Sequence, residues 1–231
     1  MELSIAIFGL AAALCWGAGD FSGGVATKRN GVMIVAIISQ TIGLILLTAA
    51  AIAFSENIPS NTDLMLSAVA GLCGGAGLLA LYHALSVEKM GFVAPVTAVW
   101  SALVPMAFGM ITEGLPTINQ FTGFAFAFAG VWLISRDENS QKIELERIKL
   151  PLIAGTGFGL FMTLIDQVQS SGIFWPLVGV RVATIPTFII VAYYSKKLRI
   201  PGIKYLPLIL LVGLLDTGKC ILRACSKDRK A

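Results

Sequence analysis

Ionisable side chains inside apolar segments are the residues of this chain most able to do chemistry. Five of them lie within long apolar stretches or near their ends: Asp20, His83, Asp166, Arg181 and Asp216. A charged group at the centre of a bilayer costs about 2.5–3.5 kcal/mol even on the lower experimental scales, so each one is a candidate functional residue. The chemistry that they offer is ion pairing, binding of a charged solute, or proton transfer.

Arg181 is the strongest of these candidates. It lies about six residues into an apolar segment that begins near Trp175, which is about 9 Å deep at 1.5 Å per residue. Its guanidinium fork suits an anionic substrate group such as a carboxylate. It equally suits a structural ion pair with Asp166 or Asp216, or a side chain that reaches back to the headgroups. The sequence leaves these interpretations open.

His83 is the only histidine of the chain. Its imidazole changes charge near neutral pH, which suits a proton relay, and the competing interpretation is a packed, hydrogen-bonded side chain. Asp20 and Asp166 lie near the ends of their segments, where water can reach them. The environment of Asp216 cannot be read, because the apolar pattern stops after Gly218.

Three aromatic residues are further candidates for a functional site: Trp16, Tyr82 and Trp100. Each offers a large apolar surface with a polar handle, so together they are suited to line a substrate cavity. The alternative is an aromatic belt at the membrane surface. The candidate substrate-binding residues are therefore Arg181, Trp16, Asp20, Tyr82, His83, Trp100 and Asp166.

The elements that must position these residues are membrane helices. The chain of 231 residues is 56% hydrophobic and 13% charged, about half the charged fraction of a soluble protein. Its apolar runs of about twenty residues match a bilayer core about 30 Å thick, and in lipid such runs form helices. The sequence predicts an all-α, polytopic membrane helix bundle with helices at 3–26, 32–54, 64–87, 92–112, 117–135, 150–168 and 174–194, and an eighth that begins near Tyr205.

The distribution of basic residues predicts the orientation of this bundle. Alternate connectors contain eleven Lys and Arg residues, and the connectors between them contain none, only acids such as Glu56, Asp63 and Glu113. Lys and Arg collect on the cytoplasmic side of membrane proteins. This places the N-terminus outside and the mixed-charge linker 136–150 in the cytoplasm.

Several function classes are excluded by the absence of their motifs. The sequence has no P-loop, no HExxH and no Gly-x-Ser-x-Gly, so we expect no enzyme activity, and any transport must be secondary. Its four cysteines lack zinc-ligand spacing, and we expect no metal and no cofactor. The net charge of +4 comes from residues 219–231 alone, which argues against a nucleic-acid partner.

Two stretches resemble the EamA-like family of the drug/metabolite transporter superfamily. "LCWGAGDF" in the first helix is similar to the Trp-Gly motif that opens this family. "ALYHALSVEKM", followed by Pro95, an acidic loop at Glu113 and a Gly-rich helix, is similar to its third to fifth helices. The resemblance implies two five-helix inverted repeats with the substrate site between them near the midplane. Trp16-Gly17 in the first helix has an echo at Phe158-Gly159 in the sixth.

The resemblance divides the chain into a first repeat at 1–135, a linker at 136–150 and an incomplete second repeat at 151–218. Residues 219–231 depart from the family pattern and form a basic tail. With one legal choice of codons for Lys219 to Lys230, a single-nucleotide deletion after the Gly218 codon converts the tail to Asn-Ala-Phe-Tyr-Ala-Leu, a family-like continuation of the eighth helix. We therefore expect a frameshifted or truncated chain, with a short eighth helix and a tail at the interface or in water.

The resemblance suggests a secondary transporter that exports a small metabolite, such as an amino acid, by alternating access across the cell membrane. The chain as written is expected to be inactive. The alternatives are a non-transporting membrane scaffold or a pseudogene-like remnant. Expected partners are the lipid bilayer and the metabolite; a homodimer is left open.

Overall fold

The chain forms a bundle of α-helices. The computed structural model describes residues 2–135, 145–169, 172–196, 202 and 205–228, and no strand occurs in these ranges. The helices in chain order are α1 (Glu2–Asn30), α2 (Val32–Ala53), α3 (Asn61–Val87), α4 (Met90–Thr112), α5 (Ile118–Ser135), α6 (Leu145–Asp166), α7 (Phe174–Tyr194) and α8 (Leu206–Asp228). The predicted all-α, polytopic fold is confirmed.

Most helix bounds lie within a few residues of the prediction. The clearest difference is at the end of α1. This helix continues to Asn30, so its last turn includes Lys28 and Arg29. Basic residues stabilise that end of a helix. Gly31 alone separates α1 from α2, and its φ of 85° is a backbone conformation that favours glycine.

The eighth helix corrects the prediction of a short element. Its backbone stays helical to Asp228, ten residues beyond the point at which the apolar pattern stops. The apolar part, Leu206–Gly218, is where the sequence placed it. Leu, Ala, Arg and Lys favour helix irrespective of solvent, so loss of the apolar pattern did not end the helix. Residues 229–231 lie outside the described residues.

The predicted linker at 136–150 is described only in part. Residues 136–144 lie outside the described residues, and α6 already begins at Leu145. Arg136 and Lys142, Lys197, Arg199 and Lys204 of the charge pattern also lie outside them. The repeat boundaries and the orientation stay predictions.

Five stretches in the described part of the chain are long and apolar enough to cross a bilayer: α2, α3, α4, residues Arg147–Asp166 of α6, and α7. The helix α3 packs extensively on α6 and α7, while α1 packs on α8 and α2 packs on α7 and α8. Glycines allow the closest of these approaches. A Cβ atom on Gly157 of α6 would lie 2.7 Å from the Cα atom of Gly77 on α3, so the two helix backbones meet there with no side chain between them.

Candidate functional site

A cleft opens between four helices near the middle of the bundle. Its walls come from α1, α3, α6 and α8, and they include Cys15, Trp16, Asp20, Tyr82, Phe158 and Asp216. The cavity volume is about 20 Å³, which is room for a water molecule. A metabolite needs a larger space, so in this conformation the cleft is too small to hold one.

The cleft combines two carboxylates with three aromatic rings. Trp16 and Asp20 lie one turn apart on α1, so their side chains emerge on the same face of that helix. Asp216 faces them from α8, and Tyr82 from α3. The ring of Tyr82 is 3% exposed. The lining therefore combines carboxylates on α1 and α8 with aromatic rings on α1, α3 and α6, a combination typical of small-molecule sites.

Tyr82 reaches the cleft because α1 offers it a glycine. A Cβ atom on Gly23 would lie 2.6 Å from the Tyr82 ring, so any larger residue at Gly23 would displace it. The tyrosine thus connects α1 and α3 at the edge of the cleft.

Arg181 is buried beside the cleft and forms bonds with two other helices. It is 8% exposed. One of its terminal nitrogens donates to the side-chain oxygen of Gln40 on α2, and the other forms an ion pair with Asp216 on α8. The third nitrogen, Nε, is buried with no acceptor among the described residues. A Cβ atom on Gly43 would lie 3.3 Å from it, so this glycine makes room for the guanidinium.

These contacts favour the structural interpretation of Arg181 in this conformation. The fork that suits a substrate carboxylate is engaged by Asp216 and Gln40, and the arginine stands behind the cleft wall rather than in it. Asp216, whose environment could not be predicted from the sequence, both pairs with Arg181 and lines the cleft. Gln40 was missed, although a glutamine within "IISQTIG" is a detectable polar interruption of an apolar helix.

Three predicted site residues lie away from the cleft. His83 follows Tyr82 directly but is exposed on the other face of α3. Asp166 is exposed at the end of α6. Trp100 is 38% exposed, and its Nε1 donates to the Thr156 hydroxyl at 2.9 Å, so it lies between α4 and α6. The structure brings together Trp16, Asp20 and Tyr82, with Arg181 behind Asp216.

Comparison with known families gives one decisive match. The model of the EamA-like transporter family matches residues 3–136, which is more than half of the chain and covers α1 to α5. The chain belongs to the EamA-like transporter family. Trp16, Asp20 and Tyr82 lie inside the matched part of this EamA-like chain, whereas Arg181 and Asp216 lie beyond it.

Membership of this family accounts for the apolar helices. EamA-like proteins are transporters, and the chain has five described stretches able to cross a bilayer. This EamA-like chain is therefore a membrane protein of a transporter family. Among curated proteins, no match to it was found.

Proposed function

We propose that this chain has the architecture of a secondary transporter of a small metabolite, that it is inactive as printed, and that the cleft is the substrate route of the active form. The observation that carries the proposal is the composition of the cleft walls. Two walls, α1 and α3, belong to the family-matched part of the chain, and two, α6 and α8, follow it. A site between two parts of a helix bundle is where relative motion of those parts changes access.

Helix packing supports the proposed inverted repeats. If each helix of the first half corresponds to the one five places later, α1 corresponds to α6, α2 to α7, and α3 to α8. The contacts follow this rule: α1 packs on α8 as α6 packs on α3, and α2 packs on α8 as α7 packs on α3. Trp16 and Phe158, the aromatic members of the sequence echo, line the same cleft from α1 and α6. Alternating access by rocking of two such halves is the mechanism that this arrangement suits.

The direction and the membrane are part of the proposal. We place the chain in the cell membrane as a multi-pass protein with its N-terminus outside, because basic residues collect in alternate connectors. Export is the direction that the family resemblance suggests. The sequence contains no nucleotide-binding motif, so an ion or solute gradient is the proposed energy source.

The test is a solute screen on the purified protein. Amino acids and other small metabolites are added singly, and the rise in unfolding temperature identifies those that bind. A solute that uses the cleft should lose most of its effect in Trp16→Ala and Asp20→Asn. It should keep its effect in Trp100→Phe, a control of the same residue type between α4 and α6.

Solutes that bind are then tested for flux in proteoliposomes. The chain as printed and a frame-restored chain are compared, because the sequence predicts that the charged residues 219–231 prevent transport. Flux of a bound solute by the frame-restored chain supports the proposal, and flux by the printed chain as well would show that residues 219–231 do not prevent transport. Binding that is unaffected by the cleft variants, or no flux by both chains, contradicts it and favours a membrane scaffold.

A further inference from the structure

The N-terminus of α7 is capped by a residue from a distant part of the chain. Its N-cap residue, Ile173, forms no side-chain capping bond, although the first N–H groups of a helix need acceptors from outside the helix. The acceptor comes from Glu56, in the connector between α2 and α3. Its carboxylate accepts from the backbone N–H groups of Ile173 at 2.7 Å, Phe174 at 2.9 Å and Trp175 at 3.2 Å.

Other contacts join the same two connectors. The Trp175 ring nitrogen donates to the Glu56 carbonyl oxygen at 3.0 Å, and the Phe54 and Phe174 rings stack with centroids 5.4 Å apart. One turn into α3, Asp63 accepts from the Gln169 backbone N–H at 3.1 Å. We name the Glu56 contacts with Ile173, Phe174 and Trp175 the Glu56 clasp. It joins the α2–α3 and α6–α7 connectors at the end of the bundle that the charge pattern places outside.

At the opposite end of the bundle, the contacts between described residues include weaker ones. There the side-chain oxygen of Asn30 accepts from the Gly202 N–H at 3.3 Å, between the end of α1 and the α7–α8 connector. Arg147 and Glu88 approach to 3.8 Å, with the arginine side chain 53% exposed, and exposed ion pairs of this kind contribute little. A carboxylate that accepts three N–H bonds holds its connectors more strongly than these contacts do.

We propose that Glu56 is a gating residue, and that the Glu56 clasp keeps the cleft closed toward the end of the bundle that carries it. This rests on the proposed transport function, because the gate controls access to the proposed substrate route. The clasp joins a connector of the first half to the helix α7 of the second half, so the two halves cannot part at this end until it breaks. Passage of a solute through this end requires its release.

The test measures access to the cleft without any substrate. Cys15 lines the cleft, and a chain in which Cys73, Cys220 and Cys225 are serine carries it as a single reporter. Its labelling by a membrane-impermeant maleimide is timed in right-side-out and in inside-out vesicles. Labelling from the clasp end should become about tenfold faster in Glu56→Gln, because the net contribution of a hydrogen bond to a charged group shifts an equilibrium by at least that factor.

A second variant keeps the test decisive if the first does not fold, and a control shows that the effect is specific to the clasp. Gly172→Ala keeps the charge but places a Cβ atom 2.6 Å from the Glu56 carboxylate, so it should also displace the clasp and speed labelling. Glu113→Gln makes the same chemical change at an exposed residue of the α4–α5 connector and should leave the rate unchanged. If Glu56→Gln does not fold, Gly172→Ala decides.

The outcomes separate the gate from the transport function. Faster labelling from one side only, in Glu56→Gln or Gly172→Ala but not in the control, supports the gate. Unchanged labelling in the folded clasp variants, or an equal rise in the control, overturns it. Faster labelling together with no solute flux by either the printed or the frame-restored chain would retain the gate and overturn the proposed function.

Discussion

Arg181 on α7 forms an ion pair with Asp216 on α8, and the same aspartate forms part of the cleft wall. The arginine is 8% exposed and bonds Gln40 as well. The pair therefore connects three helices and holds a carboxylate in place at the cleft. A charged group that lines the proposed site is thus supported by a residue outside it.

Breaking this ion pair on one side should destabilise the protein strongly. Asp216→Asn is expected to lower the free energy of unfolding by about 3–5 kcal/mol, because the buried guanidinium loses its charged partner. Arg181→Met should cost less, because the Asp216 side chain is 19% exposed at the cleft. The double variant should recover much of the loss. Unfolding by SDS in mixed micelles measures the cycle, with the exposed Asp166→Asn as a control. Effects that simply add would show that the two groups are not coupled.

Gly23 should be intolerant of alanine because of Tyr82. The added Cβ atom would lie 2.6 Å from the tyrosine ring, and crowding of this kind costs about 1–3 kcal/mol. Gly17 lies on the same helix, and a Cβ atom there would have nothing within 4 Å. Gly17→Ala should therefore cause little change in the same measurement. The double variant Gly23→Ala with Tyr82→Leu should lose less stability than the two single losses together, and full additivity would argue against the contact.

Gly71 should be more sensitive still, because its neighbour is backbone. A Cβ atom there would lie 2.5 Å from the Val180 carbonyl oxygen, which cannot rotate away as a side chain can. Gly71→Ala should separate α3 from α7, remove the bond from the Thr184 hydroxyl to the Gly71 carbonyl oxygen at 3.0 Å, and lower the unfolding temperature more than Gly23→Ala. Gly130→Ala on α5, with open space around it, is the matched control. An unfolding temperature equal to that of the parent would contradict the close approach.

The predicted orientation can be tested by cysteine labelling. In a chain without its native cysteines, Ser140→Cys in the linker should react with an impermeant maleimide in inside-out vesicles but not in intact cells. Leu115→Cys, which replaces a side chain 88% exposed in the α4–α5 connector, should react in intact cells. The reverse pattern would show that the N-terminus faces the cytoplasm.

The sequence predicted the helices well, because length and hydropathy decide which segments suit a bilayer. It could not predict which face of a helix would point inward. Tyr82 and His83 are adjacent, yet the first is buried and the second exposed, because the rotation of α3 is set by its packing on α6 and α7. Both residues had been named as candidates for the same site on residue type alone.

Long-range partners could be predicted only in part. The sequence offered Asp166 and Asp216 as ion-pair partners of Arg181, but which of them pairs depends on how α7 and α8 meet. Glu56 was counted only as an acid of a connector, since no local pattern shows that it serves a helix more than a hundred residues later. A bond between residues more than a hundred positions apart leaves no pattern in the short stretch of sequence from which a helix is predicted.

The capping of α7 by Glu56 has a consequence for the order in which the protein assembles during synthesis. The two partners are separated by 117 residues, so the acceptor for the first turn of α7 is in place before α7 leaves the ribosome. A helix whose end is completed by an earlier segment gains its full stability only when it docks there. We therefore expect the first turn of α7 to become stable only after the α2–α3 connector has formed, so that its amide protons gain protection from hydrogen exchange after those of α2 and α3.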